Sequence, residues 1–465
     1  MSAAIAPARR LAFETIRATF EDDAHTERHF RAAADAAGLA GRERAQAQRL
    51  AFGAVQRRGT ADAALERLAE RPVRRLDPPV RAALRLGLYE LLFADATPDH
   101  AAVDQAVELV KQAGAAHAAG FANAVMRRAA RERDALREAL LGEDSTPEAA
   151  AVAHSAPLWL AQMWWRELGP DEARSLLAAC NEPPETAFRV NILRTDRESI
   201  LARLRDAGVD ARPASIVRPT ASGALFGPDG SKKRTGSELG RFELPEMVVV
   251  EGRTGEVVPA LVEAGELTPQ SRGSAAVVAA LGPRPGEQVL DLCAGPGIKT
   301  GQIAERMGDR GEVISVESDP DRAAEVAAQA RRLGLRSVTA IEVDGSGPVA
   351  AIGSFDRVLL DAPCSDLGAL ASRPDARWRK SPATIERLAG VQERLLERAR
   401  EALRPGGTLV YATCTISRRE NEERAPQGER WQLRPDRDGT TGFFVCRLRR
   451  DDASVGETAR AESAR

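Results

Sequence analysis

The chain has 465 residues, 29% charged and 43% hydrophobic, with a formal net charge of −2, a length that calls for about three domains rather than one core. It contains no run of ~18 uninterrupted apolar residues, which excludes a membrane-spanning helix, and its opening MSAAIAPARRLAF lacks the apolar stretch and cleavage site of a signal peptide. The five cysteines form no CxxC pair, so neither a disulfide framework nor a metal site is expected, and the cytoplasm is the expected setting.

In chain order, residues 1–135 read as helix throughout, with apolar positions at helical spacing in LAFETIRATF, AQRLAFGAVQ, VRAALRLGLYELLF and AAVDQAVELVKQA. Pro78, Pro79 and Pro98 mark helix starts, and a helical bundle is predicted. Residues 136–155 look like a short linker running into a new helix. A small α+β module is expected over 150–262, where helical SAPLWLAQMWWRELG and DEARSLLAAC precede strand-like FRVNIL and helical RESILARLRDAG. Its polar stretch TASGALFGPDGSKKRTGSELG reads as an exposed loop. Lys232, Lys233 and Arg234 in that loop could meet phosphate or simply face solvent.

Over 263–450 short apolar strands alternate with helices: VLDLCAG, EVISVE, VTAIEVD, FDRVLLDAP and GTLVYATC. The alternation predicts a doubly wound, Rossmann-like α/β sheet whose ligands sit at the carboxyl ends of the strands. WQLRP and GFFVCRLRR suit a closing antiparallel hairpin, and residues 451–465 read as a disordered tail.

The first of these strands runs into Cys293, Ala294, Gly295, Pro296, Gly297, Ile298 and Lys299. A glycine turn between strand and helix lets the backbone approach a nucleotide-like ligand and points helix N–H groups at it. The second strand ends at Glu317, 20 residues past Gly297, where a carboxylate can take two ribose hydroxyls. The third ends at Asp344, on the adenine side of such a pocket.

The fourth and fifth strands end in Asp361-Ala362-Pro363-Cys364 and Tyr411-Ala412-Thr413-Cys414. One buried cysteine is ordinarily a small hydrophobe, but two thiols at neighbouring strand tips point to covalent chemistry. Carbon 5 of cytosine is a weak nucleophile until a thiolate adds at carbon 6 and converts the ring to an enamine. Asp361 is placed to interact at ring nitrogen 3. All five histidines lie in the first third, so this chemistry proceeds without imidazole.

DLCAGPGIKT, VESD, LLDAPCS, RPDARWRKSP and YATCTISRRENEE resemble, in order and spacing, the motifs of the RsmB/NSUN family of RNA cytosine-5 methyltransferases. PPETAFRVNIL resembles the small N-terminal module of that family's catalytic core. LRLGLYELLFADATPDHAAVDQAVEL and GFANAVMRR are similar to its NusB-like RNA-binding domain, which singles out the RsmB (Sun) branch acting on small-subunit (16S) ribosomal RNA. The resemblance implies S-adenosyl-L-methionine (AdoMet) as cofactor, held by Cys293 through Lys299, Glu317, Asp344 and Asp361. It further implies Cys414 as nucleophile and Cys364 as the thiol that assists release; DNA cytosine-5 methyltransferases use a Pro-Cys cysteine instead, which makes Cys364 the alternative nucleophile. A monomer bound to ribosomal RNA, with neither metal nor membrane, is the expected working form.

There are departures from the family pattern. Ile298 stands where a glycine is usual, which implies a tighter turn or weaker cofactor binding. Asp366 follows Ser365 where a glycine is usual, which adds a carboxylate near the RNA path. The stretch from Asn421 to Trp431 is short, which implies a missing helix. Arg373, Arg377, Trp378, Arg379 and Lys380 combine positive charge with one aromatic, as RNA contact requires. Two other readings remain open at this point: a base amino-methyltransferase, which would need no thiol, and a non-catalytic NusB-like RNA-binding factor.

Overall fold

The computed structural model describes residues 5–94, 97–214, 242–347 and 353–451. Lys232, Lys233 and Arg234, and residues 452–465 of the expected tail, lie outside the described residues. No helix among the described residues is long and apolar enough to cross a membrane. The chain packs as two units, Met1–Glu182 with Leu370–Ser381, and Pro183–Ala369 with Pro382–Arg465.

The first unit is helical among its described residues, as the spacing predicts. Its central helix, Pro78–Phe93, is buried from Ala82 through Leu92. A helix buried on every side must pair its charges. Arg85 accordingly donates to both oxygens of Asp62 at 2.7 and 2.8 Å, and Glu90 accepts from Arg9 at 3.0 Å. The helix Gly41–Gln56 crosses close by, because any Cβ at Gly53 would lie 2.1 Å from the Tyr89 ring.

Two boundaries differ from expectation. Residues Arg133–Leu141 and Pro147–Ala153 are helices, so much of the expected linker belongs to the bundle. The helices Leu158–Leu168 and Pro170–Ala179 also pack in this unit, burying Leu160, Trp164 and Leu176 there. By packing, the division falls after Glu182. Helical spacing shows that a face is apolar but not which body covers it.

The second unit holds two sheets. Strands β1 (Thr186–Val190), β2 (Asp210–Pro213), β3 (Met247–Glu251) and β4 (Leu267–Pro269) form an antiparallel sheet in the order β2-β3-β1-β4. Of these, only β1 was legible as a strand. Strands β5 (Gln288–Asp291), β6 (Glu312–Glu317), β7 (Val338–Glu342), β8 (Phe355–Asp361), β9 (Leu403–Thr413), β10 (Glu429–Leu433) and β11 (Phe443–Arg449) form the larger sheet. Its order is β10-β11-β9-β8-β5-β6-β7, with β5 through β9 parallel and β10 and β11 the expected closing hairpin.

Alternation along the strands explains the two cores. Val289, Val313, Leu359 and Val410 face one layer, while Leu290, Ile314, Val358 and Leu409 face the other. Such strands are covered on both faces and read as continuous apolar runs. The chain order reverses between β5 and β8, which opens a crevice at their carboxyl ends.

The small sheet is tied to this crevice by Arg189 of FRVN, which is 1% exposed. Its guanidinium pairs with both oxygens of Glu305 at 2.9 and 3.1 Å, and donates to Gln270 and, at 2.8 Å, to the Ile298 carbonyl. A buried arginine is tolerated when its donors are satisfied in this way.

Candidate active site

Asp291, Glu317, Asp361 and Cys414 all stand at or just beyond the carboxyl ends of parallel strands β5, β6, β8 and β9. The turn after β5 is held by Ala294 N–H donating to Val316 O at 3.0 Å and Gly297 N–H donating to Ala294 O at 3.1 Å. Gly295 and Gly297 adopt φ of +56° and +82°, conformations that cost a side chain about 1 kcal/mol or more. At Gly297 a Cβ would also press to 3.1 Å from Val326. Ile298 is different: it opens the helix Ile298–Arg306 and is not among the positive-φ residues. The expected tightening of the turn by Ile298 is therefore not seen, because its position needs no glycine.

Glu317 is held in place by the same turn. Its Oε2 accepts from Gly295 N–H at 2.8 Å, and its Oε1 accepts from the amides of Ser318 and Asp319 at 3.0 and 3.1 Å. Asp344, exposed just past β7, accepts from Ser346 N–H at 2.9 Å, and that bond holds its carboxyl below the usual range. Asp291 was not singled out from the sequence. It is fully buried, takes a 2.7 Å bond from Thr300 Oγ1, and its Oδ1 has no partner among the described residues. Burial pushes its carboxyl up to about 7. Two backbone-anchored carboxylates, a close glycine turn and an orphaned buried oxygen suit a ligand rich in hydroxyl and amine donors.

Lys299 Nζ lies 2.5 Å from Asp361 Oδ2. Burial pushes the ammonium down, but Asp361 outweighs it and the net shift is upward. Lys299 is thus a cation held against Asp361. The Cys293 thiol is pushed well up, first by burial and then by Asp291, Glu317 and Asp361. It belongs to the turn after β5.

Cys364 Sγ and Cys414 Sγ lie 3.4 Å apart, and Cys414 donates to Asp366 Oδ1 at 3.2 Å. The hydrogen bond to Cys414, reinforced by burial, pushes the Cys364 thiol well up. Glu420, also missed from sequence, clamps the two thiol loops together. Its carboxylate accepts from Ser365 N–H at 2.9 Å, from Ser365 Oγ and from Gln392 Nε2 at 3.1 Å. Tyr411 Oη donates to the Glu420 carbonyl at 2.6 Å, and Asn421 Nδ2 donates to Thr415 O at 3.0 Å. The acidic run ENEE was the available signal, but surface charge and buried clamp look alike in a sequence. Residues Asn421–Gly428 form turns and no helix, in line with the shortness of that stretch.

The expected RNA-contact cluster needs correction. Arg377 is buried in the first unit, donating to the carbonyls of Ser155 at 3.0 Å and Cys180 at 2.9 Å and to Asn181 Oδ1 at 3.0 Å. Trp378 Nε1 donates to Val55 O at 2.8 Å, and the Arg58 guanidinium lies 5.1 Å from its ring centroid. Arg379 donates to Asp23 O at 2.7 Å. These three side chains anchor the segment within the helical unit. Arg373 is exposed and Lys380 half-buried.

The chain matches the family model of the 16S rRNA methyltransferase RsmB/F over residues 278–428, the NusB family over 6–131, and an RsmF/B-like ferredoxin-like domain over 156–220. It is 33% identical to a "Probable ribosomal RNA small subunit methyltransferase B" of Synechocystis sp., covering 92% of this chain and 91% of that protein. A "Ribosomal RNA small subunit methyltransferase B" of Escherichia coli is 32% identical, covering 82% of this chain and 80% of the relative. The crystal structure of a protein designated PH0851 shares the fold with a TM-score of 0.75 at 23% identity, covering 96% and 99% of the two chains. With similarity of this extent to curated relatives, on top of a crevice that brings both motif cysteines together, the chain belongs to the RsmB/F methyltransferase family.

Proposed function

We propose that this protein transfers a methyl group from AdoMet to carbon 5 of a cytosine in small-subunit ribosomal RNA, through a covalent bond between Cys414 and carbon 6. The observation that carries the reading is the 3.4 Å thiol pair, in which Cys414 donates to the Asp366 carboxylate at 3.2 Å. An amino-methyltransferase would have no use for that pair. The names of the curated relatives support ribosomal RNA as substrate.

When bound, AdoMet supplies an electrophilic methyl group on a sulfonium. Glu317 and Asp344 would hold its ribose and adenine ends, and Cys293 through Lys299 its amino-acid end. Asp361, positioned by Lys299, would interact as an acid at ring nitrogen 3 and orient the base. Cys364, 3.4 Å from Cys414, assists release of the product. The reading takes a reducing cytoplasmic setting, where both thiols stay reduced, and a monomer. Arg373 and Lys380 are proposed RNA contacts.

The test is a denaturing gel with labelled substrate RNA. Cys364→Ala should accumulate a protein–RNA band that protease removes, and Cys414→Ala should form none. A band with Cys414→Ala and none with Cys364→Ala would reverse the roles.

A further inference from the structure

We propose that Asp366 is the base that takes the proton of Cys414 as its sulfur adds to the ring, and returns it when the sulfur leaves. The inference rests on reading Cys414 as the nucleophile.

A thiol is a poor nucleophile until its proton departs, and the surroundings narrow the acceptor. No histidine occurs after residue 154. Lys299 is a cation paired with Asp361. Glu420 is engaged by Ser365 and Gln392. Cys364, 3.4 Å from Cys414, is itself a thiol and a weak acceptor. The acceptor in contact with the Cys414 S–H is Asp366 Oδ1, at 3.2 Å, within reach for direct transfer.

The backbone explains why an aspartate can stand there. Asp366 has φ of +60°, a conformation natural to glycine and open to few other residues, aspartate among them. The chain accepts that cost at a position where the side chain meets the reacting sulfur, and strain of this kind gathers at functional sites.

The step balances as follows. The S–H bond breaks, its proton moves to Oδ1, and the sulfur pair forms the S–C6 bond. The displaced C5–C6 pair spreads over carbon 5 and nitrogen 3, and carbon 5 uses it to take the methyl group. On release, water takes the carbon 5 proton and that C–H pair restores the double bond. The C6–S pair returns to sulfur, which recovers its proton from Asp366.

The test follows adduct formation by the full chain on substrate RNA containing 5-fluorocytidine, with AdoMet present, because fluorine at carbon 5 blocks release and traps the adduct. Asp366→Asn and Asp366→Gly should form adduct about a hundredfold more slowly at pH 7, the lower range for a lost general base. Their rates should climb from pH 7 to 9 while the wild-type rate stays level, and Asp366→Glu should recover part of the loss. Because glycine suits this φ, Asp366→Gly should fold at least as well as the wild type, as thermal unfolding will show. Adduct formation by Asp366→Gly at the wild-type rate or faster, with an unchanged pH profile, overturns the proposal. Absence of any adduct in the wild type, with turnover retained by Cys414→Ala, overturns instead the nucleophile reading beneath it.

Discussion

Asp291 ends β5 with its carboxyl inside the protein, and burial raises it from an ordinary 3.8 to about 7. The folded chain therefore binds this proton more tightly than the unfolded chain does. Its contribution to stability is full below about pH 4 and is lost as pH rises through the window to about 7, by an amount on the order of 4 kcal/mol. Asp291→Asn keeps the Thr300 contact without the charge. Urea unfolding should show it more stable than the wild type at pH 8 and little changed at pH 4. An identical pH dependence in the two proteins would mean that Asp291 ionises freely when folded. Glu317, at the end of β6, is organised by three backbone amides. Glu317→Ala should weaken AdoMet binding by about 1–3 kcal/mol in calorimetry, and unchanged affinity would place the cofactor elsewhere.

Among elements, Leu370–Ser381 shows how a motif can mislead. Its run of arginines around one tryptophan has the composition of an RNA contact, yet Arg377 and Trp378 are spent on carbonyls of the helical unit. Composition could not separate these roles, since a guanidinium that satisfies three buried acceptors is the same side chain that would bind phosphate. Arg377→Ala should destabilise the first unit by about 3 kcal/mol, because buried carbonyls lose their donors. Arg377→Lys should not restore it, because a single ammonium cannot span the fork. Arg373→Ala should lower RNA affinity, reducing the salt slope by about one. Denaturation curves and salt-titrated binding read the two effects separately, and an exchange of the two outcomes would restore the original assignment.

For the whole molecule, the unit that carries the candidate active site begins at Pro183 and is interrupted by a segment that packs elsewhere. A chain started at residue 183 would keep β1 through β11 but strand residues 370–381 without the carbonyls of Val55, Ser155 and Cys180. Trypsin should cut that chain at Arg377, Arg379 or Lys380 at least about tenfold faster than the intact protein, since cleavage follows the open population. Equal rates would show that the segment holds its form without the helical unit.

The sequence by itself determined the parts that depend on local pattern. Helical spacing gave the bundle. Apolar runs alternating with helices gave the parallel sheet, and residues at strand ends gave Cys364, Cys414, Glu317 and Asp361, because a doubly wound sheet gathers its strand tips at one edge. Tertiary structure alone decided what depends on contacts between distant residues. It placed the helices through Ala179 with the bundle, turned Arg377 and Trp378 inward, buried Asp291 and Glu420, and set Asp366 against Cys414. A charged side chain carries the same letter whether it faces water or a buried partner, and only the fold, by fixing what lies within about 3 Å of it, settles which role it plays.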